Sequence, residues 1–559
     1  MTHITGDVKR MTYKNSGLRR ASLRVAGLGA MLALGLGGCN PDKLTRINQD
    51  PNNPTSAPPA PVFTYATRIT MQRYFGRTPM NMVGPVLTTQ HLAEVQYPDE
   101  DQYLRLDGTV TDGSFVNTYS QELKNFQAVI DVAKPDQQEM LWGPAQVMRS
   151  LIFGYVTDVW GDVPYSQALH GDSPEGTLTP AYDAQKDIYT GLFKDLDEAV
   201  TAMAAGASPS STLGPVGSAD PIYAGNRLRW QRFGNSLRAR QAMRLANVDP
   251  ATAQAQLTAA MNAAGGLIAS NADNAQIVWP GDGVYDNPWA ANNRTRDDHR
   301  LSQTLMNQML PFSDPRVPVY AQPTLCYINP AATGCPPNPP QYAGMPNGLT
   351  ATEAATYSLS SSRPGKVFYS TTRFCKTGFA NGAFVGCSGL SGARFPSFIM
   401  TYAEVSFILA EAAERGWIPG SAAAYYVQGI NASMAQWGVT DAAAITAFLA
   451  QPAIAYQGGT AGLRQIALQK WIALYSDGIE AWSEWRRTCV PETVKPGPAA
   501  VIGTVPRRYE YSVREHSVNS ANLDVAVSRQ GADAFATRMY WDSKPELAPT
   551  YPGPTCGVR

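Results

Sequence analysis

Ser397–Trp417, SFIMTYAEVSFILAEAAERGW, is the stretch whose reading decides the fold. Ile399, Ala403, Phe407 and Ala410 recur at spacings of four, four and three, the apolar stripe of a 3.6-residue helix. Ala403, Ala410, Ala412 and Ala413 are small enough to let a second helix approach closely. Pro396 suits the start of such a helix, and Gly416 and Pro419 suit its end. Glu404 and Glu411 stand seven residues apart, which places them on one face, about 10 Å apart along the axis. Two acids on a nearly apolar helix need basic partners, and two further helical stretches offer them. Leu463–Arg487 (LRQIALQKWIALYSDGIEAWSEWRR) ends in Arg486 and Arg487, and Leu228–Ala246 (LRWQRFGNSLRARQAMRLA) carries Arg232, Arg238, Arg240 and Arg244.

Outward from these, most of the chain after Val62 reads as helices. Phe115–Ala133 and Met140–Trp160 form a pair that ends in Gly161-Asp162-Val163-Pro164, and Tyr182–Ala205 packs onward from it. Ala251–Ala264, Ser421–Trp437 and Asp441–Leu449 continue the pattern. Antiparallel pairs of this length are similar to tetratricopeptide units, although no clean repeat of about 34 residues is visible.

Several of these segments carry a family resemblance. MTYAEVSFILAEAAERGW, QKWIALYSDGIEAWSEWRRT, RFGNSLRARQAMRLA and YVTDVWGDVPYSQAL resemble signature segments of the SusD/RagB-like nutrient-binding outer-membrane lipoproteins of Bacteroidetes. NQDPNNPT near the start and DPRVPVYAQP mid-chain fit the same pattern, so the resemblance runs from about residue 39 to the C-terminus. It implies a mainly α fold: a tetratricopeptide-like scaffold of helical hairpins with a loop-rich lobe carrying short strands. Here that lobe falls at Gly265–Phe395, where the composition shifts to Gly, Pro, Asn, Ser and Tyr, within a single domain of residues 62–559. The resemblance also implies a partner, a SusC-like TonB-dependent transporter in the outer membrane, over which the protein would act as a hinged lid.

The N-terminus reads as an export signal. Lys9, Arg10, Lys14, Arg19, Arg20 and Arg24 precede the apolar run Val25–Gly38, which is too short for a comfortable membrane span but suits a secretory signal. The basic segment is long enough that Met11 could be the true start. Leu36-Gly37-Gly38-Cys39 resembles a lipobox, with Cys39 as the acylated residue. Removal of residues 1–38 takes away six of 45 basic and one of 45 acidic residues, leaving 39 against 44, a net of −5. A mildly acidic chain without a basic run argues against nucleic-acid binding. Residues 39–61 are rich in Pro, Asn and Asp and read as a lipidated tether and lead-in loop. Asp50, Asn52 and Asn53 could coordinate calcium, but their spacing is not that of an EF-hand and Asx-turn chemistry accounts for them better. The reading needs no cofactor.

Six cysteines follow Cys39: Cys326, Cys335, Cys375, Cys387, Cys489 and Cys556. An even number in an exported chain suggests disulfides, and six allow fifteen connectivities. Cys375 and Cys387 bracket a hairpin with a turn at Asn381-Gly382. Pairing of neighbours would leave Cys489 to tie down Cys556. A zinc site is the rival, but no CxxC is present, and His91, His170, His299 and His516 are scattered.

No GxSxG, HExxH or GxxxxGK[ST] motif occurs. Glu404 and Glu411 are the only acid pair that suggests glycoside hydrolysis, which requires carboxyls flanking a bond in a cleft; arginine partnership explains them better. Asp158 and Asp162 flank Trp160-Gly161, where capping suffices. Binding is therefore the preferred reading, with aromatic faces for sugar rings or peptide side chains and amides or arginines for oriented hydrogen bonds. Trp279–Arg300, WPGDGVYDNPWAANNRTRDDHR, combines Trp279, Tyr285 and Trp289 with Asn292, Asn293, Arg294 and Asp297. Tyr342 and Asn347 in QYAGMPNGL and Tyr97 in VQYPDEDQY stand second, and Met80-Asn81-Met82 belongs either to the same pocket or to the core. The expected ligand is an oligosaccharide, with a peptide as the alternative. The rivals are a surface glycosidase using Glu404 and Glu411 and a helical-repeat adaptor without a small ligand.

Overall fold

A computed structural model describes residues 57–542 and 556–558. The export signal, Cys39, and Asp50, Asn52 and Asn53 lie outside the described residues.

Helices dominate, and neighbours in sequence pack side by side. Lys124–Ala133 lies against Glu139–Trp160, which lies against Gln185–Ala205. Arg227–Arg244 follows on the latter and packs on Pro250–Asn262, while Tyr402–Glu414 packs on Ala422–Gln436 and Gly459–Ala473. Side-chain caps fix several starts: Asn226 accepts from the Arg229 amide, Asp249 from Thr252, and Thr401 from Glu404. Gly161 ends Glu139–Trp160 at a φ of +87°, which favours glycine. Asp162 then accepts from the Gln185 amide at 2.8 Å, so it does cap the next helix. The strands are short and pair in twos.

The deciding stretch divides where it was expected to be continuous. Ser397–Met400 is a fully buried strand, antiparallel to Ala275–Ile277, and the helix begins only at Tyr402. A short apolar run such as SFIM has no periodicity that separates strand from helix. Extended Thr401 (φ −124°, ψ 157°) makes the break and caps the helix. Leu463–Arg487 divides too. Ser476 takes a φ of +82°, and Asp477 caps a second helix, Gly478–Thr488. Phe115–Ala133 is interrupted by the wider turn Thr118–Leu123, and Tyr182 sits in a two-residue strand ahead of Gln185–Ala205.

The charges across the scaffold pair as the sequence demands. Arg240 reaches both oxygens of Glu404, at 2.7 and 2.5 Å. Arg487 reaches both oxygens of Glu411, at 2.7 and 2.6 Å, and also Glu484 at 2.5 Å. Arg244 bridges Glu480 (2.6 Å) and Asp158 (3.1 Å), and Lys470 contacts Glu484 (3.0 Å). All of these side chains are buried. With both carboxylates gripped bidentately inside a helix interface, no glycosidic bond can reach Glu404 or Glu411, which overturns the glycosidase reading.

Residues 265–395 hold only short helices and strands, joined to the scaffold by two ladders: Ala275–Ile277 with Ser397–Met400, and His299–Leu301 with Leu92–Glu94. The disulfides join Cys326–Cys335, Cys375–Cys387 and Cys489–Cys556, with Cα–Cα separations of 5.4, 5.4 and 5.9 Å. The second clamps the hairpin Lys376–Ala380/Ala383–Gly386, whose turn residues Asn381 and Gly382 both have positive φ.

Candidate ligand-binding site

The ladder of Leu92–Glu94 with His299–Leu301 sets Glu94 directly opposite His299. Just beyond the strand, Glu94 Oε1 accepts from the amides of Gln96 (2.9 Å) and Tyr97 (3.1 Å), which folds the turn that presents Tyr97. The Tyr97 ring is 41% exposed. Guanidinium carbons of Arg77 and Arg296 lie 5.0 and 5.4 Å from its centroid. Arg77 donates to Glu100 (2.5 Å) and Asp298 (3.2 Å), and Arg296 to Asp298 (3.5 Å), so the carboxylates hold both arginines against the ring. A half-exposed tyrosine with forked donors over its ring offers a sugar an aromatic contact and hydrogen bonds to its hydroxyls.

A second tyrosine is presented in a similar way. Asp282 accepts from the Val284 and Tyr285 amides at 2.9 and 2.7 Å, and Arg68 lies 4.7 Å from the Tyr285 centroid. Arg68, Arg77 and Arg296 were not singled out from the sequence. Arg296 sat in the quoted Trp279–Arg300 segment, and an arginine beside a tyrosine-bearing loop was the available signal.

Beneath Tyr97 the acids are buried and short of partners. Burial, together with neighbouring Glu100, pushes the Glu94 carboxyl well above the usual range. Burial also raises Glu100 to about 7 against the pull of Arg77, and Asp101 to about 7 despite its bond from Asn347. Burial lowers His299 to about 4, so the imidazole is neutral.

The other expected binding residues are distributed differently. Trp289 is 1% exposed, its ring 4.5 Å from Phe368 and 5.9 Å from Tyr475. The helix Pro288–Asn293, capped by Asn287, turns it inward, so a core role replaces the stacking role. Trp279 is equally buried and donates to Ser397 Oγ at 3.0 Å. Asn293 donates to the Phe368 carbonyl at 3.0 Å and Asn292 to Asn293 at 3.2 Å. Asn347 accepts from Ser302 at 2.5 Å and donates to the Leu92 carbonyl and Asp101. These residues are buried and bonded within the protein. Asp297 is likewise held by Arg363 and Arg300. Met80, Asn81 and Met82 are fully buried core. Tyr342 is half-buried, and Arg294, at 38% side-chain exposure, pairs with Asp286. Of the aromatic candidates, Tyr97, Tyr285 and Tyr342 retain accessible surface.

A separate apolar cleft of about 450 Å³ opens between Phe115, Tyr119, Leu169, Leu178, Pro180 and Arg514, and none of the expected residues lines it. Among the described residues, no helix is long and apolar enough to cross a membrane.

Three solved structures share the architecture. A chitin-binding protein is 27% identical, with a TM-score of 0.70 over 87% of this chain and 100% of its own. A SusD homologue from Bacteroides fragilis is 24% identical, with a TM-score of 0.69 over 88% and 100%. A chitin-binding SusD homologue from Flavobacterium johnsoniae is 24% identical, with a TM-score of 0.67 over 88% and 98%. No curated protein matches the chain. The SusD-like family model, described as starch-binding and associating with the outer membrane, matches residues 51–512, and the chain therefore belongs to the SusD-like family.

Proposed function

We propose that this protein captures an oligosaccharide at the outer-membrane surface and hands it on unchanged, as a binder and not an enzyme. The observation that carries the reading is Tyr97, an exposed residue on a turn fixed by Glu94, with Arg77 and Arg296 over its ring. The starch-binding description of the family and the chitin-binding relative at 27% identity favour a glycan over a peptide. Tyr285 and Tyr342 are secondary contacts in this reading. The proposal includes residues 1–38 as export signal, lipidation of Cys39, and 39–61 as tether to a single domain with its lobe at 265–395. It also includes service as a lid over a SusC-like TonB-dependent transporter, with closure favoured when ligand bridges the two proteins.

Calorimetry of the purified protein against starch- and chitin-derived oligosaccharides, with a peptide panel as control, tests the reading. Tyr97→Ala is expected to weaken glycan binding tenfold or more, about 1.4 kcal/mol. Unchanged affinity would exclude the Tyr97 turn with its two arginines, the Tyr97 ledge, as the site, and silence in both panels would favour the adaptor. Co-purification of a large β-barrel from mild detergent is expected, and isolation as a lone species would count against the lid.

A further inference from the structure

We propose that Glu94, Glu100 and His299 form a site for one divalent transition-metal cation, zinc by its donor set, directly beneath the Tyr97 turn. One ligand atom from each of the three residues can be chosen so that all lie within 4.8 Å of one another. All three side chains are buried. Glu94 Oε2 and Glu100 Oε2 have no hydrogen-bond partner. Two orphaned carboxylate oxygens inside one corner are costly unless something compensates them.

The spacing suits a metal better than a hydrogen bond. His299 Nε2 stands 3.3 Å from Glu94 Oε2 and 3.3 Å from the Met82 carbonyl, both long for hydrogen bonds. Two donors on one tetrahedral zinc, each about 2.0–2.1 Å from the ion, are about 3.4 Å apart. The remaining oxygens are already anchored, as metal ligands require. Glu94 Oε1 holds the Gln96 and Tyr97 amides, and Glu100 Oε1 accepts from Arg77.

The charge balance points the same way. Glu94, Glu100, Asp101 and Asp298 converge on this corner, and Arg77 and Arg296 are the cations that contact them. Buried negative charge in excess of its partners is neutralised by a proton or by a cation. An imidazole nitrogen among carboxylates supplies what a borderline cation prefers, whereas calcium takes six to eight oxygens. Because Glu94 touches both the ion and the Tyr97 turn, occupancy stiffens the ledge. That link rests on the glycan reading above; the cation site does not.

The test is direct. The purified protein is stripped with EDTA, desalted, offered ZnCl2, gel-filtered and analysed for zinc, with thermal unfolding recorded before and after loading. One zinc per chain and a rise in Tm are expected. Glu100→Gln and His299→Gln are expected to cut retained zinc to a tenth or less, while His170→Ala and His516→Ala, at exposed positions, retain it. If His299→Gln does not fold, the isosteric Glu100→Gln decides. Folded wild-type protein retaining less than a tenth of an equivalent would overturn the site in favour of protonated carboxyls. Full retention by folded Glu94→Gln and Glu100→Gln would place the zinc elsewhere and overturn it equally.

Discussion

Between the scaffold helices, Glu411 and Glu484 share Arg487, with Arg415 and Lys470 alongside; at the ladder corner, Glu100 pairs with Arg77 while Glu94 faces His299. Both pairs are buried, and burial opposes the charged form in both. In the scaffold the surrounding cations outweigh it, holding Glu411, Glu480 and Glu484 below the ordinary carboxylate range. In the corner they do not, and the carboxyls rise. The balance between burial and the cations in contact, and not depth alone, separates these two pairs of carboxyls.

The largest effect is expected on removing the scaffold's cation. Arg487→Met leaves Glu411 and Glu484 buried with too few partners, and urea unfolding should show a loss of about 3–5 kcal/mol. A loss below about 1 kcal/mol would erase the contrast. Acidification is the next test. Glu411, Glu480 and Glu484 titrate lower folded than at their reference value of 4.5, so their stabilisation is complete above it and is lost progressively below it, as pH falls through the lower folded values. Urea midpoints should drop steeply below pH 4.5, at up to about 1.4 kcal/mol per unit per group. Glu94→Gln in metal-free protein replaces an ill-compensated acid with a neutral amide while keeping its Oε1 acceptor, and should cost less than about 1 kcal/mol. A cost as large as that of Arg487→Met would show the corner to be as well balanced as the scaffold. Smallest is Tyr97→Ala, which should shift stability within about 0.5 kcal/mol, since the ring is exposed.

Helical pairs and the arginine–glutamate partnerships were legible because an apolar helix cannot bury Glu404 and Glu411 without Arg240 and Arg487. The site was less so. Sequence lists Trp289 beside polar Asn292 and Asn293 and suggests exposure, but Asn287 caps a helix that turns the indole inward. Tyr97 lies in a less aromatic segment, yet backbone bonds to Glu94 hold it outward. His299 looked scattered because pairing between Leu92–Glu94 and His299–Leu301 leaves no local periodicity that announces a partner two hundred residues away.

The same ladder bears on the order of folding. Helical hairpins close short loops and form on local contacts, whereas joining Glu94 to His299 closes a loop of about 200 residues, an entropic cost of about 5 kcal/mol beyond the constant term. Contact order therefore puts the ledge among the last elements to assemble, on a scaffold already formed. In native-state hydrogen exchange, amides of the Tyr97 turn should open at lower free energy than those of Tyr402–Glu414, and a protease should find the ledge before it finds the helices.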